Sequence, residues 1–168
     1  DIIYLRRGLN EIIFGGEFSL VKTDEKTFSE TVKAEDITLY GKAELLTDKY
    51  GVTYIDNISN LGGKGSFTVT VPEDGDYRVT ILYANNSEGG VHDYNVDLIE
   101  RYITIDVNDT KQNLWCRNTY SWDTVKTATL NIELTEGENT ITFTNDGTIK
   151  FNNRDSFAPY IFSVTVNE

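Results

Sequence analysis

The residues best suited to chemistry in this chain lie between Arg117 and Asp123. Trp122 stands between Ser121 and Asp123, two residues after Tyr120, in a polar stretch outside the alternating run that begins near Lys126. An indole in such a stretch is costly unless it is packed or used, and its face suits the axial-hydrogen side of a pyranose ring. A ligand of that kind also needs amides or carboxylates for its hydroxyls. Arg117 and Asn118 stand just before the tryptophan, and Tyr120 adds a second ring. If Arg117 reaches the same site, its planar fork could hold a uronic carboxylate or a pair of hydroxyls. As a solvated or ion-paired side chain it needs no such function. Trp122 could equally anchor its loop on a core, and Trp115 reads as core or sheet surface.

Catalytic patterns are sparse. His92 is the sole histidine, which excludes a two-histidine metal site and leaves any Ser-His-Asp triad dependent on it. There is no G-x-S-x-G elbow, no H-E-x-x-H and no phosphate-binding glycine loop. Asp93, Asp97 and Glu100 could pair as the two carboxylates of glycoside hydrolysis. With 27 Asp and Glu in the chain, however, such pairs arise by chance. The expectation is a protein without catalytic residues of its own.

Composition narrows the partners. Fifteen Lys and Arg against 27 Asp and Glu give a net charge of −12, which repels phosphate backbones and anionic membranes. No apolar run approaches the roughly 18 residues of a membrane span. With Asp1 first and no Met, the chain reads as a processed product or an excised piece. Cys116 has no second cysteine to pair with, so cysteine usage says nothing of the compartment. At 168 residues with 39% hydrophobic content, one domain can bury a core.

The elements that must position these residues are strands. Phe67, Val69 and Val71 alternate with polar residues, and Tyr77, Val79, Ile81 and Tyr83 resume the pattern after Pro72-Glu73-Asp74-Gly75. This is the period of half-buried strands joined by a tight reversal. Ile103, Ile105 and Val107 form another run. Leu130, Ile132 and Leu134 lead through Thr135-Glu136-Gly137-Glu138 into Ile141 and Phe143, and Tyr160, Phe162, Val164 and Val166 close the chain. No helical stripe with caps competes. The fold class is all-β, a two-sheet antiparallel sandwich of the jelly-roll, galactose-binding-like kind.

Residues 3–14 and 132–143 share the frame I-x-L-x-x-G-x-N-x-I-x-F. Repetition of a whole strand–turn–strand unit points to copies of a domain, although such hairpins also converge. Residues 1–22 therefore read as the closing hairpin of an upstream β domain or as accessory strands. Residues 23–31, polar apart from Phe28, read as a linker, and 32–168 as the sandwich.

From Val32 onward the sequence resembles carbohydrate-binding module family 35 and, more distantly, family 6. The resemblance spans nearly all of 32–167 and rests on short motifs in order. Lys33-Ala34-Glu35-Asp36 opens it, and Tyr54-Ile55-Asp56-Asn57 precedes a glycine-rich stretch. Val71-Pro72-Glu73-Asp74-Gly75-Asp76-Tyr77 and Leu82-Tyr83-Ala84-Asn85 follow. Ser121-Trp122-Asp123-Thr124, Gly137-Glu138-Asn139-Thr140-Ile141 and Asn145-Asp146-Gly147 complete the set. Gly89-Gly90-Val91-His92-Asp93-Tyr94, residues 117–122 and Phe157-Ala158-Pro159 look like the subset attached to α-galactosidases and related glycoside hydrolases.

The resemblance implies a non-catalytic module that binds an oligo- or polysaccharide, possibly galactose-containing, and holds an attached glycoside hydrolase near it. It implies an extracellular or cell-surface setting, with catalytic and neighbouring β domains as covalent partners. The alternative is a structural sandwich packed on a catalytic domain with no sugar site. By the same resemblance Trp122 and Tyr54 flank the ligand at the apex of the sandwich, and Asn152 and Asn153 fall where related modules place a sugar-binding amide. Tyr54 could equally point inward from a strand. Relatives usually hold a structural calcium through two acids flanking Ala in the first strand and a late Asp. Here the first acid is Lys33, leaving Glu35, and the late position falls on Tyr160 or Phe162. A lysine can replace a cation's charge, whereas Tyr cannot replace a carboxylate ligand. The expectation is a lost or weak structural site, with Asp56, Asp93, Asp97 and Asp146 as acids that could hold calcium elsewhere.

Overall fold

A computed structural model describes residues 28–91, 96–150 and 154–168. The hairpin expected over 1–22 and the first part of the linker lie outside the described residues, as do His92, Asp93, Asn152 and Asn153.

Thirteen strands are described, with a single 3₁₀ turn at Ala34–Asp36 and no α-helix among the described residues. They are β1 (Ser29–Lys33), β2 (Thr38–Tyr40), β3 (Glu44–Thr47), β4 (Thr53–Asp56), β5 (Lys64–Val71), β6 (Gly75–Ala84), β7 (Glu88–Val91), β8 (Val96–Leu98), β9 (Arg101–Val107), β10 (Thr110–Cys116), β11 (Lys126–Leu134), β12 (Gly137–Thr144) and β13 (Tyr160–Asn167). One sheet runs β11-β6-β13-β4-β3, with β1 also on β13, and the other runs β10-β9-β12-β5-β2. A short β7–β8 ribbon lies apart. All the strand pairs are antiparallel.

The core lies between the two sheets and is built by the alternation already visible in the sequence. Val79, Ile81, Ile55, Ile161, Val164 and Val166 of the first sheet face Ile103, Ile105, Ile141, Phe143, Val69 and Val71 of the second, all 2% exposed or less. Period-2 side chains on both inner faces make a layered apolar core of this kind.

The reversals after β5 and β11 do not join neighbours within a sheet. β5 pairs with β12 and β2, while β6 pairs with β11 and β13. The turn at residues 72–74 therefore carries the chain from one sheet to the other, and so does the turn between β11 and β12. These two arches are tied together. Asn139, 2% exposed, accepts from the Thr135 amide (3.1 Å) and donates to the carbonyls of Thr135 (2.7 Å) and Gly137 (3.1 Å). Asp74 Oδ1 accepts from the Glu136 amide at 2.6 Å. Gly137 has φ +94, a conformation a side chain would strain. The reversal at Asn108-Asp109 is a hairpin within one sheet: both residues have positive φ, 50 and 62, as a type I′ turn requires, and the flanking Val107 and Thr110 are paired.

Ser29, Glu30 and Thr31 already pair in register with Asn167, Val166 and Thr165. β1 thus starts within the stretch that composition marks as linker. It is polar because Ser29 and Thr31 face solvent, and Phe28 packs edge-on against Tyr77 with ring centroids 5.7 Å apart.

Candidate functional site

Ile55 of β4 and Ile161 of β13 are register partners, both fully buried. Their neighbours Tyr54, Tyr160 and Phe162 must therefore face outward, since successive strand residues point to opposite faces. Tyr54 is opposite Phe162 across the pair, with ring centroids 5.8 Å apart. It stacks diagonally on Tyr160 at 4.5 Å with 28° between the planes. Trp122, from the loop between β10 and β11, continues the row by packing on Tyr160 at 4.3 Å and 32°. The alternative of an inward Tyr54 is settled by Ile55, which takes the core position.

The row Trp122–Tyr160–Tyr54–Phe162 borders a cleft of about 340 Å³ whose other walls include Asp48, Tyr50, Val52, Asp123 and Val125. Tyr50 is 72% exposed. Asp48 Oδ1 accepts from the amides of Tyr50 (2.8 Å) and Val52 (2.9 Å), which shapes that rim. Burial raises the pKa of Tyr54 and Tyr160 above the ordinary phenol value, with the Asp56 carboxylate acting in the same direction. Both rings are therefore neutral over the physiological range.

The loop that presents Trp122 is held from beneath by buried amides. Asn85, fully buried, donates its side-chain amide to the carbonyls of Ile99 (2.9 Å) and Cys116 (3.1 Å), and its backbone carbonyl accepts from the Thr119 amide at 2.6 Å. Asn118 donates to Ser87 O (2.8 Å) and accepts from the Tyr120 amide (2.7 Å). Arg101 supports the indole itself. Its guanidinium lies 5.4 Å from the Trp122 ring and 5.7 Å from that of Phe157, and it donates to Ala158 O at 2.8 Å. Desolvation lowers the Arg101 pKa, yet the group stays charged.

The structure therefore brings Tyr54 and Trp122 to one cleft through Tyr160. It does not bring Arg117 or Asn118 there. The Arg117 side chain is 84% exposed and faces Glu100 at 3.8 Å. Asn118 is 6% exposed with its amide engaged in the loop. Tyr120 is 70% exposed at φ +66, with the Lys126 ammonium 5.0 Å from its ring, and it borders neither described cleft. Trp115 is 45% exposed on the sheet surface. The sequence reading missed Arg101, Phe157 and the stacking role of Tyr160. Partner alternation with Tyr54 could have flagged Tyr160, but nothing local marks Arg101.

At the place where the resemblance puts a structural calcium, Lys33 and Glu35 are both exposed, and the rings of Tyr160 and Phe162 belong to the aromatic row. Among the described residues no three His, Cys, Asp or Glu side chains gather as a metal cluster. Burial would raise the pKa of Asp146, but its bonds from the Thr148 amide (3.0 Å) and hydroxyl (2.8 Å) and from Tyr102 OH (2.8 Å) outweigh it and lower the pKa. Asp56 accepts from the Asn57 amide at 2.6 Å.

No family model matches the chain. A solved structure does: a family 35 carbohydrate binding module from Clostridium thermocellum is 32% identical, over 83% of this chain and 98% of that one, with a TM-score of 0.67. The chain belongs to carbohydrate-binding module family 35. The module's fold also recurs inside larger proteins. An exo-β-1,3-galactanase from Phanerochaete chrysosporium, solved with galactose, is 18% identical over 83% of this chain and 29% of that one, with a TM-score of 0.64. In sequence, an isomaltosyltransferase from Sporosarcina globispora is 32% identical over 99 residues, 58% of this chain. The module spans 8% of that relative's length.

Proposed function

We propose that the module binds an uncharged oligosaccharide across the row Trp122–Tyr160–Tyr54–Phe162, without catalysis, and so holds an attached carbohydrate-active enzyme near its glycan in an extracellular setting. The observation that carries this reading is an aromatic row opening on a cleft whose rim bears Asp48 and Asp123. Rings serve the apolar face of a sugar, and carboxylates accept from its hydroxyls. The two acids, in a chain of net charge −12, favour a neutral glycan over a uronic acid, and Arg117 is turned to Glu100 instead. The gain to the enzyme is effective concentration. Relatives named for galactan and isomaltosyl chemistry make galactose- and isomaltose-based oligosaccharides the first ligands to try.

A structural role against a catalytic domain is the second reading, favoured by the exposed Tyr50, Val52 and Val125 beside the cleft, since a contiguous apolar patch marks an interaction surface. A glycan array with the isolated module, with and without calcium, separates the two. Retention of a neutral glycan that is abolished by Trp122→Ala supports binding. No retention of any glycan, with the protein folded, overturns it.

A further inference from the structure

A second and larger cleft, about 780 Å³, lies on another side of Trp122. It falls in the roughly 300–1,000 Å³ range of ligand pockets. Its floor is the solvent face of the second sheet. There Trp115 of β10 is paired with Tyr102 of β9, with ring centroids 5.5 Å apart and 47° between planes. Inward positions beside them are taken by Leu114, Cys116 and Ile103, all buried.

Trp115 thus stays 45% exposed on a base that cannot move far. Tyr102 beneath it is 2% exposed, and its hydroxyl donates to Asp146 Oδ1 at 2.8 Å while accepting from the Ile149 amide at 3.3 Å. A rigid, half-exposed indole over a buried ring is a platform for a flat apolar face. The charged groups around the cleft balance: Glu88, Glu100 and Asp155 stand against Arg101, Lys150 and Arg154. Such a lining exerts no strong field of one sign, yet it offers donors and acceptors together, as a polyhydroxyl ligand requires.

The two clefts share Trp122, which lines both. Arg101, which lines the larger one, also lies against that indole. In addition, Ser87 Oγ on the wall of the larger cleft is buried without a hydrogen-bond partner, a cost that a bound hydroxyl reached by a small side-chain rotation would relieve.

From this arrangement we infer that the two clefts are successive parts of one track. An extended neutral oligosaccharide runs past Trp122, with Trp115 as a second platform, so that the module reads several consecutive sugars instead of a chain end. This rests on the carbohydrate-binding reading above and names the class of ligand within it.

The test uses ligands of increasing length, glucose to isomaltotetraose and galactose to β-1,3-galactotetraose, with two readouts. The chain has 2 Trp, so an amide correlation spectrum carries two indole signals, assigned with Trp115→Phe. Affinity by calorimetry should rise about tenfold or more from monosaccharide to tetrasaccharide in one series. The Trp122 signal should move with both lengths and the Trp115 signal only with the longer. Trp115→Ala should return the tetrasaccharide to the monosaccharide's affinity and leave the monosaccharide unchanged. The spectra of the unaltered protein decide even if that variant folds poorly. Affinity independent of length, with the Trp115 signal still, overturns the track while leaving the sugar site at Trp122 standing. A monosaccharide that moves both signals makes the clefts two separate sites and also overturns it. If neither signal moves with any sugar, both readings fall.

Discussion

Tyr160 is the residue on which the aromatic row turns, so its removal has a calculable consequence. The ring packs on Tyr54 at 4.5 Å and on Trp122 at 4.3 Å. Each aromatic pair contributes about 0.5–1.5 kcal/mol beyond area burial. The ring is half-buried, which adds about 1 kcal/mol of apolar transfer, roughly half the value for a fully buried side chain of that size. Tyr160→Ala should therefore destabilise the module by about 2–4 kcal/mol. For a domain of this size each kcal/mol moves the melting temperature roughly 3–5 °C, so a fall on the order of 6–20 °C is expected. Tyr160→Phe keeps both stacks and should cost no more than about 0.5 kcal/mol. Urea denaturation monitored by tryptophan fluorescence measures both, provided the slope with denaturant stays constant so that the midpoint reports stability. A cycle with Trp122→Ala should show a coupling of about 0.5–1.5 kcal/mol. The reasoning fails if Tyr160→Ala costs less than about 0.5 kcal/mol, or if Phe is as harmful as Ala.

Three further outcomes are expected. Trp122→Ala should weaken binding of the preferred oligosaccharide by about 1–3 kcal/mol through lost ring contact; calorimetry on a folded variant with unchanged affinity would remove this residue from the site. If, as the family resemblance implies, Lys33 and Tyr160 have replaced the carboxylates of the structural site, millimolar calcium should barely move the melting temperature. A structural site of micromolar affinity would contribute about 4 kcal/mol at a thousandfold excess, so a large rise abolished by Glu35→Ala would show that the ion still binds. Stability should fall as pH rises above 10.0, the ordinary tyrosine value. Burial raises the folded-state pKa of Tyr54, Tyr83 and Tyr160, so unfolded chains lose those protons first. Their contribution is complete below the unfolded value and is lost as pH rises through the folded ones. A urea midpoint that holds or climbs across that window would contradict the burial of these rings.

By itself the sequence determined whatever depends on local alternation and on backbone chemistry. The period-2 runs from Phe67, Tyr77, Ile103, Leu130 and Ile141 place each buried side chain on the inner face where it is found, because strand geometry leaves a residue only two directions. The turn at Gly137 was legible because few residues tolerate its positive φ, and the one at Pro72–Asp74 because proline and glycine interrupt the alternation there. Trp122 stood out because an indole in a polar loop must have a reason. The sheet each strand joins was settled only in three dimensions. A tight reversal can return a strand beside its predecessor or send it across the core, and local residues scarcely distinguish the two. Here Asn139 and Asp74 hold the arches that cross, and their bonding partners are known only once the chain has folded. The same limit governs the site. Tyr54 faces outward because Ile55 meets Ile161, a partner more than a hundred residues away in sequence. Asn118, promising beside Trp122, is consumed by Ser87 and the Tyr120 amide, whereas Arg101, with no local mark, lies against the indole. Side-chain roles of this kind depend on which distant groups satisfy a buried amide or face a ring, and tertiary packing alone decides that.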